Sequence, residues 1–238
     1  MKMTASVAAR AFGVLLPSSN RVVERVTRAI IEGFPGIDAC FSRVPYGGHP
    51  AAGYDEAAFL NAAGMLAQAR PGVILWNATR GALLGFEPDR KLCKLIERET
   101  GIPATTTALE TVALFRSRCI RRIAILQQGT PAEGVRLEEN FAREGIEIVT
   151  RRDLEVRDNF EAANVNIETM ARLVDELAAG KPDGILIWST NLSGYALAGT
   201  LTSKLGITVF DSAAIGILSA IRKLGVTNEE FSWACREF

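Results

Sequence analysis

The chain predicts an α/β protein of two similar parallel-sheet, Rossmann-like halves, related by a pseudo-two-fold axis and separated by a cleft. Three observations predict it. Apolar runs of strand length alternate with segments of helical period, the pattern that builds parallel βαβ units. The run Val73-Ile74-Leu75-Trp76, followed by Asn77-Ala78-Thr79-Arg80-Gly81, returns as Ile185-Leu186-Ile187-Trp188, followed by Ser189-Thr190-Asn191-Leu192-Ser193-Gly194. The offset also holds elsewhere: Trp76 and Trp188 lie 112 positions apart (188 − 76), and the strand ends at Leu16 and Leu126 lie 110 apart (126 − 16). A spacing of that size means a duplicated domain, because solenoid units repeat every 20–50 residues or so.

Taken in order, strands are expected at Ala11–Leu16, Ala39–Val44, Gly72–Trp76, Arg122–Leu126, Glu147–Arg152, Gly184–Trp188 and Thr208–Phe210. Each is short and apolar, as a strand covered on both faces must be. Helices are expected at Val22–Glu32, Glu56–Gln68, Asp89–Glu99, Leu109–Ser117, Glu133–Arg143, Asn166–Ala179, Tyr195–Leu205 and Ala213–Leu224. Met170, Leu173, Val174, Leu177 and Ala178 share one helical face. Gly-Ile-Pro at 101–103 and Gly-Ile-Thr at 206–208 each close a helix and open the next element, a second echo between halves. The first unit is expected to comprise residues 1–104 with 212–238, and the second residues 105–211. Trp76 and Trp188, at the ends of apolar strands, read as core or inter-domain packing.

Composition excludes several functions. The 27 basic and 27 acidic residues balance, so there is no electrostatic footprint for nucleic acid or an anionic membrane. Cys40, Cys93, Cys119 and Cys235 are scattered and only one histidine is present, which argues against structural zinc and a disulfide framework and fits a reducing compartment. Arg10 interrupts the small-residue run at Ala5–Ala9 before it reaches the length of a secretion signal. No segment approaches the roughly 20 apolar residues of a membrane span. A cytoplasmic protein is expected, as a homo-oligomer.

Ligands of open α/β sheets sit outside the carboxyl ends of the strands, so the polar tips Asn77-Ala78-Thr79 and Ser189-Thr190-Asn191 are where a small molecule is expected. Pro17-Ser18-Ser19-Asn20 joins a strand to a helix whose N-terminal N–H groups suit an anion; Ser19 or Asn20 can equally cap that helix. Arg80 can pair bidentately with a carboxylate or simply be a solvated helix-start residue. Gln127, Gln128 and Thr130 follow the strand at 122–126, where their amides can hydrogen-bond an oxyanion. Asn164 can add an amide, with capping as its other role. Ser189 is a weak acid that needs a base to become a nucleophile, and no His or Lys stands within its motif. His49, in the loop Tyr46-Gly47-Gly48-His49-Pro50, can supply proton exchange near neutrality or be an ordinary surface residue.

Three of these motifs carry a family resemblance: Gly13-Val14-Leu15-Leu16-Pro17-Ser18-Ser19-Asn20 with Glu24, Trp76-Asn77-Ala78-Thr79, and Trp188-Ser189-Thr190-Asn191-Leu192. With them the chain resembles the aspartate/glutamate racemase superfamily, in particular its maleate isomerase and arylmalonate decarboxylase branch, from about residue 10 to about residue 225. The resemblance implies two facing α/β domains and a small carboxylate or dicarboxylate held by backbone N–H groups and small polar side chains. It also implies no metal or organic cofactor, and a planar enediolate-like or covalently attacked intermediate. It implies cysteines, one per domain, as proton donor and acceptor or as nucleophile; the decarboxylase type needs only the second.

The chain departs from that pattern at decisive places. The first cysteine position falls on Asn77 or Ala78, the second on Ser189, and the branch's tyrosine near Gly129. Two-thiol racemization is excluded on this alignment. The expectation is a decarboxylase-like lyase or isomerase with Ser189 and His49 as catalytic candidates. Pro17, Ser18, Ser19, Asn20, Asn77, Ala78, Thr79, Arg80, Gln128, Gly129, Thr130, Asn164, Thr190 and Asn191 are the substrate-binding candidates. A serine-dependent hydrolase of a small amide or ester, and a carboxylate-binding protein without activity, stand as alternatives.

Overall fold

The computed structural model describes residues 10–45 and 53–226. It contains two four-stranded sheets, all parallel. In the first, β1 (Arg10–Pro17), β2 (Ile37–Val44), β3 (Ile74–Trp76) and β4 (Ala104–Thr106) run in the order β2-β1-β3-β4. In the second, β5 (Arg122–Gln127), β6 (Glu147–Asp153), β7 (Gly184–Trp188) and β8 (Val209–Asp211) repeat that order as β6-β5-β7-β8. The registers correspond: Trp76 lies beside Leu15 and Trp188 beside Gln127, so the two tips are equivalent. The helices are α1 (Val23–Ile31), α2 (Glu56–Ala67), α3 (Arg80–Leu83), α4 (Glu87–Thr100), α5 (Thr107–Ser117), α6 (Pro131–Arg143), α7 (Asn159–Ala163), α8 (Ile167–Ala178), α9 (Tyr195–Leu205) and α10 (Ser212–Lys223).

All seven expected strands and all eight expected helices are present. The eighth strand, β4, has no apolar run to announce it: it is the three residues Ala-Thr-Thr, and both threonines are buried by what surrounds them rather than by their own hydrophobicity. Nothing in the sequence announces the short α3 and α7 either, since four or five residues are too few for a helical period.

The helices that follow β4 and β8 cross between the sheets. α5 leaves the first sheet, yet its Ala108, Val112 and Phe115 join Ile123, Ile125, Leu186 and Phe210 in one core. α10 leaves the second sheet, yet Ala213, Ala214, Ile217, Ala220 and Ile221 pack with Phe12, Val14 and Leu75 of the first. The crossing is close enough that a Cβ at Gly216 would stand 2.3 Å from Thr107 Oγ1. Each half thus completes the other's core. No described helix is long and apolar enough to cross a membrane.

In each sheet the strand order reverses beside its first strand, between β1 and β3 and between β5 and β7. That switch point is where a doubly wound sheet opens a crevice at its carboxyl end. Four loops leave the two switch points: residues 18–22, 77–79, 128–130 and 189–194. These loops build the site.

Candidate active site

The loops after β1, β3, β5 and β7 converge on one cleft, lined by Pro17, Asn20, Ala78, Thr79, Arg80, Leu83, Gln128, Asn159, Ser189, Thr190 and Asn191. Its cavity volume is about 50 Å³, so the two tips stand close together. A second lobe continues past Thr79, Gln128, Gly129, Glu133 and Ser189. The third-strand and seventh-strand tips therefore face a shared space, as the duplicated motif predicts.

Contacts from one half to the other close the floor of the cleft. Asn20 Nδ2 donates to the Thr190 carbonyl (3.2 Å) and to Thr190 Oγ1 (3.3 Å). Its Oδ1 accepts from the N–H groups of Val22 and Val23, both at 2.9 Å. Asn20 thus holds the backbone N–H groups at the entry to α1 and struts the opposite domain at once, and it is almost fully buried. Asn191 Oδ1 takes the Arg21 N–H (2.9 Å), and its Nδ2 donates to the Asn159 carbonyl. Outside the cleft, Arg43 donates to the carbonyls of Ser18 (3.0 Å) and Asn20 (2.9 Å) and pairs with Glu24 (2.6 Å), which fixes the Pro17–Asn20 loop from behind.

Ser189 sits at the second tip. Its hydroxyl donates to Gln128 Oε1 (2.5 Å) and accepts from the Asn191 N–H (3.1 Å). Gln128 Nε2 donates to Asn159 Oδ1 (3.2 Å), and Asn159 Nδ2 donates to Ser19 Oγ (2.8 Å). Amides and hydroxyls thus form a chain from Ser189 back to the first domain. Its members are polar but hold no base: an amide carbonyl accepts a hydrogen bond without taking the proton.

At the equivalent position of the first half, Asn77 behaves differently. It is fully buried. Its Nδ2 donates to the Ala213 carbonyl (3.2 Å), its Oδ1 accepts from Thr107 Oγ1 (3.0 Å), and its own carbonyl accepts from Thr190 Oγ1 (3.3 Å). The structure places Asn77 under the cleft floor as a link between β3, α5, α10 and the second tip, rather than in the cleft. The first half instead presents Ala78, Thr79 and Arg80. Among the described residues, neither the Thr79 nor the Thr190 backbone N–H is spent on a turn or loop hydrogen bond.

The other expected site residues fall in three places. Ser18 and Ser19 are exposed at the rim. Gly129 lines the second lobe; a Cβ there would meet Glu133 Oε2 at 2.2 Å and Gln127 Oε1 at 2.8 Å, so those two side chains occupy the room a larger residue would need. Thr130 is spent on a capping box with Glu133 at the start of α6. Asn164 is exposed beyond the cleft, donating to the Phe160 carbonyl (2.7 Å); the amide that reaches the cleft from this segment is Asn159. Its sequence context, Asp158-Asn159 ahead of a short helix, looks like capping chemistry and nothing more. His49 and Tyr46 lie outside the described residues.

Two fully buried acids near the tips carry no sequence signal. Burial pushes the Asp89 carboxyl up to about 6, against hydrogen bonds from Thr106 and Tyr54 that favour its charged form. Burial pushes Asp211, the cap of α10, up to about 7, although the N–H groups of Ala214, Ala213 and Tyr195 favour the carboxylate. Among the described residues no group of three or more His, Cys, Asp or Glu side chains is arranged to hold a metal ion.

Solved structures share this architecture. A maleate cis-trans isomerase mutant of Nocardia farcinica, holding a covalent succinylcysteine intermediate, superposes with a TM-score of 0.80 at 21% identity over 91% of this chain and 93% of its own. The maleate isomerase of Pseudomonas putida S16 with maleate gives 0.82 at 16% identity, over 91% and 92%. A mutant of arylmalonate decarboxylase in liganded form, carrying glycine-to-cysteine and cysteine-to-serine changes, gives 0.77 at 22% identity, over 91% and 93%. At such identities the likeness is one of fold. A comparison with curated protein sequences finds no match. The sequence model of the arylmalonate decarboxylase family matches residues 56–234, and the chain belongs to that family.

Proposed function

We propose that the protein is a cofactor-independent lyase of decarboxylase type, acting on a small dicarboxylate through an enediolate-like intermediate in the cleft between the two tips. The supporting observation is the pairing of unspent backbone N–H groups, Thr79 from one half and Thr190 from the other, beside the Ser189 hydroxyl. When a malonate-type acid loses CO₂, the electrons of the broken C–C bond pass into the remaining carboxyl group. Both its oxygens then gain charge. Oriented donors at that place stabilise the charge as it develops, commonly the largest single catalytic contribution.

The new carbanion needs one proton on one face. Decarboxylation is therefore favoured over racemization, which needs a donor and an acceptor on opposite faces, and Asn77 cannot supply the second. On the motif resemblance, Ser189 takes the place of the second cysteine of the maleate isomerase and arylmalonate decarboxylase branch. Its one O–H, donated to the Gln128 amide oxygen in the empty cleft, turns to the intermediate as a hydrogen-bond donor, and the proton arrives from water in the open cleft or from His49. The same bonding disfavours a serine hydrolase, whose nucleophile needs an adjacent base. It also favours, as the second reading, a carboxylate-binding protein that has lost the chemistry.

The test is incubation with malonate, methylmalonate and phenylmalonate in deuterated water. CO₂ release with one solvent deuterium on the product carbon supports the lyase. Binding of these acids without turnover supports the receptor. No binding of any small carboxylate rules out both.

A further inference from the structure

The two lobes of the cleft differ in chemistry. Thr79, Leu83, Gln128 and Ser189 line both, so a molecule held at the two tips reaches from one lobe into the other. The second lobe adds Gln127, Gly129, Glu133, Leu137 and Trp188. Among the described residues, Glu133 is the only acid that lines either lobe.

This carboxylate is fixed by one of its oxygens. Glu133 Oε2 accepts from the Thr130 N–H (2.7 Å) and from Thr130 Oγ1 (3.2 Å). Gly129 packs against the same oxygen, 2.2 Å from where a Cβ would stand. Among the described residues, Oε1 accepts no hydrogen bond. Capping α6 therefore uses one oxygen and leaves the other, with the negative charge, for a ligand. The neighbouring amides are committed. Gln127 Nε2 donates to the Thr130 carbonyl (2.9 Å) and to Asp153 (2.7 Å), while its Oε1 accepts from the Gly129 N–H (2.7 Å). Gln128 bridges Ser189 and Asn159.

The start of α6 is closed to anions. A helix N-terminus ordinarily suits one, but Pro131 has no N–H to give, and Thr130 Oγ1 takes the Glu133 N–H (3.4 Å). The Glu133 charge then repels any carboxylate that enters. Both carboxyl groups of a malonate are therefore kept to the first lobe, where the Thr79 and Thr190 N–H groups stand. What enters the second lobe is the substituent on the carbon between them. Its cavity volume is about 40 Å³, close to the ~30 Å³ that one water occupies in the liquid, so the substituent is a small one.

We propose that the second lobe is the subsite for a small hydrogen-bond-donating substituent, an ammonium above all, and that Glu133 is the residue that selects it. The proposal rests on the decarboxylase reading of the cleft and names its substrate class: amino- or hydroxymalonates ahead of alkyl- and arylmalonates. An ammonium makes a charge-assisted hydrogen bond to Oε1, stronger than one from a neutral donor. Loss of CO₂ from aminomalonate breaks one C–C bond, leaves its electron pair in the enediolate and takes up one proton, giving glycine.

The test compares aminomalonate, hydroxymalonate, methylmalonate and malonate by calorimetry, and by kcat/KM for any acid that is turned over. Amino, hydroxyl and methyl groups are nearly equal in size, so chemistry alone separates them. The wild type should prefer aminomalonate to methylmalonate by at least about tenfold, the worth of a hydrogen bond to a charged group, with hydroxymalonate between. In Glu133→Gln, which keeps an oxygen for the Thr130 N–H, that preference should fall to about threefold or less, and malonate should bind at least as tightly as before. A wild type that takes methylmalonate as well as aminomalonate overturns the proposal, and this comparison needs no variant. A preference that persists unchanged in Glu133→Gln overturns it too, and reduces Glu133 to a helix cap. If the malonates bind but the amino group brings no advantage, the subsite falls and the carboxylate cleft stands; if none of the four acids binds, both fall.

Discussion

Asn77 and Ser189 occupy the same position in two copies of one motif, each directly after a tryptophan that ends a central strand. Asn77 is sealed, with its amide spent on the Ala213 carbonyl and the Thr107 hydroxyl. Ser189 lines the cleft and is bonded to Gln128, a residue that lines it too. The difference shows how a duplicated scaffold divides labour. One tip became the joint that locks the halves together; the other kept a hydroxyl where substrate would lie. The first half still contributes to the site, two residues further on, through Thr79 and Arg80.

The largest expected effect of breaking this asymmetry is on stability. Asn77→Ala strands the buried Thr107 hydroxyl and Ala213 carbonyl, and should cost roughly 2–4 kcal/mol in denaturant unfolding. Gly216→Ala, which drives a methyl group into Thr107 Oγ1 at the same joint, should cost about 1–3 kcal/mol. A loss below about 0.5 kcal/mol for Asn77→Ala would show that the joint is not where the halves are held.

The caps of the crossing helices differ in the same way. Thr106 caps α5 with a hydroxyl, while Asp211 caps α10 with a buried acid. Asp211 has its folded value raised from 3.8 to about 7. The folded state therefore binds more protons than the unfolded state between those values, and stability falls as pH rises through that window. Asp89 acts in the same direction up to about 6. Unfolding free energies measured from pH 4 to 8 should decline with pH in the wild type and decline less in Asp211→Asn, which keeps a side-chain cap. An unchanged slope would mean that Asp211 is not the group responsible.

Ser189→Ala should move stability by less than about 1 kcal/mol, because the groups it leaves behind line an open cleft that water can reach. Carboxylate affinity should nevertheless fall roughly tenfold, the worth of one hydrogen bond to a charged group. A variant that binds as the wild type does would remove Ser189 from the site. Thr190→Val should cost about 1 kcal/mol of stability, by removing the hydroxyl shared by Asn20 and the Asn77 carbonyl.

Much of this was legible in the sequence because it depends on local chemistry. The apolar runs, the repeated Trp-plus-polar tips and the strand-to-helix Pro-Ser-Ser-Asn loop locate the sheets, the cleft and most of its lining. What escaped depends on tertiary contact. Ala104-Thr105-Thr106 is a strand only because β3 lies beside it. Asn77 looks like a ligand by position, and only the crossing of α5 and α10 turns it into a joint. Asn159, rather than Asn164, reaches the cleft because it opens α7 at the end beside the cleft, while Asn164 lies past the helix's other end. Asp89 and Tyr54, 35 residues apart, meet through packing that no spacing rule encodes.

The central claim is that both halves present donors to one anion. It is tested most directly by titrating the ¹⁵N-labelled protein with malonate and following the backbone amide signals of Thr79 and Thr190. The account predicts that both signals move together, with one shared dissociation constant. If malonate binds and only one of them shifts, or the shifts fall on residues away from the two tips, the account is contradicted.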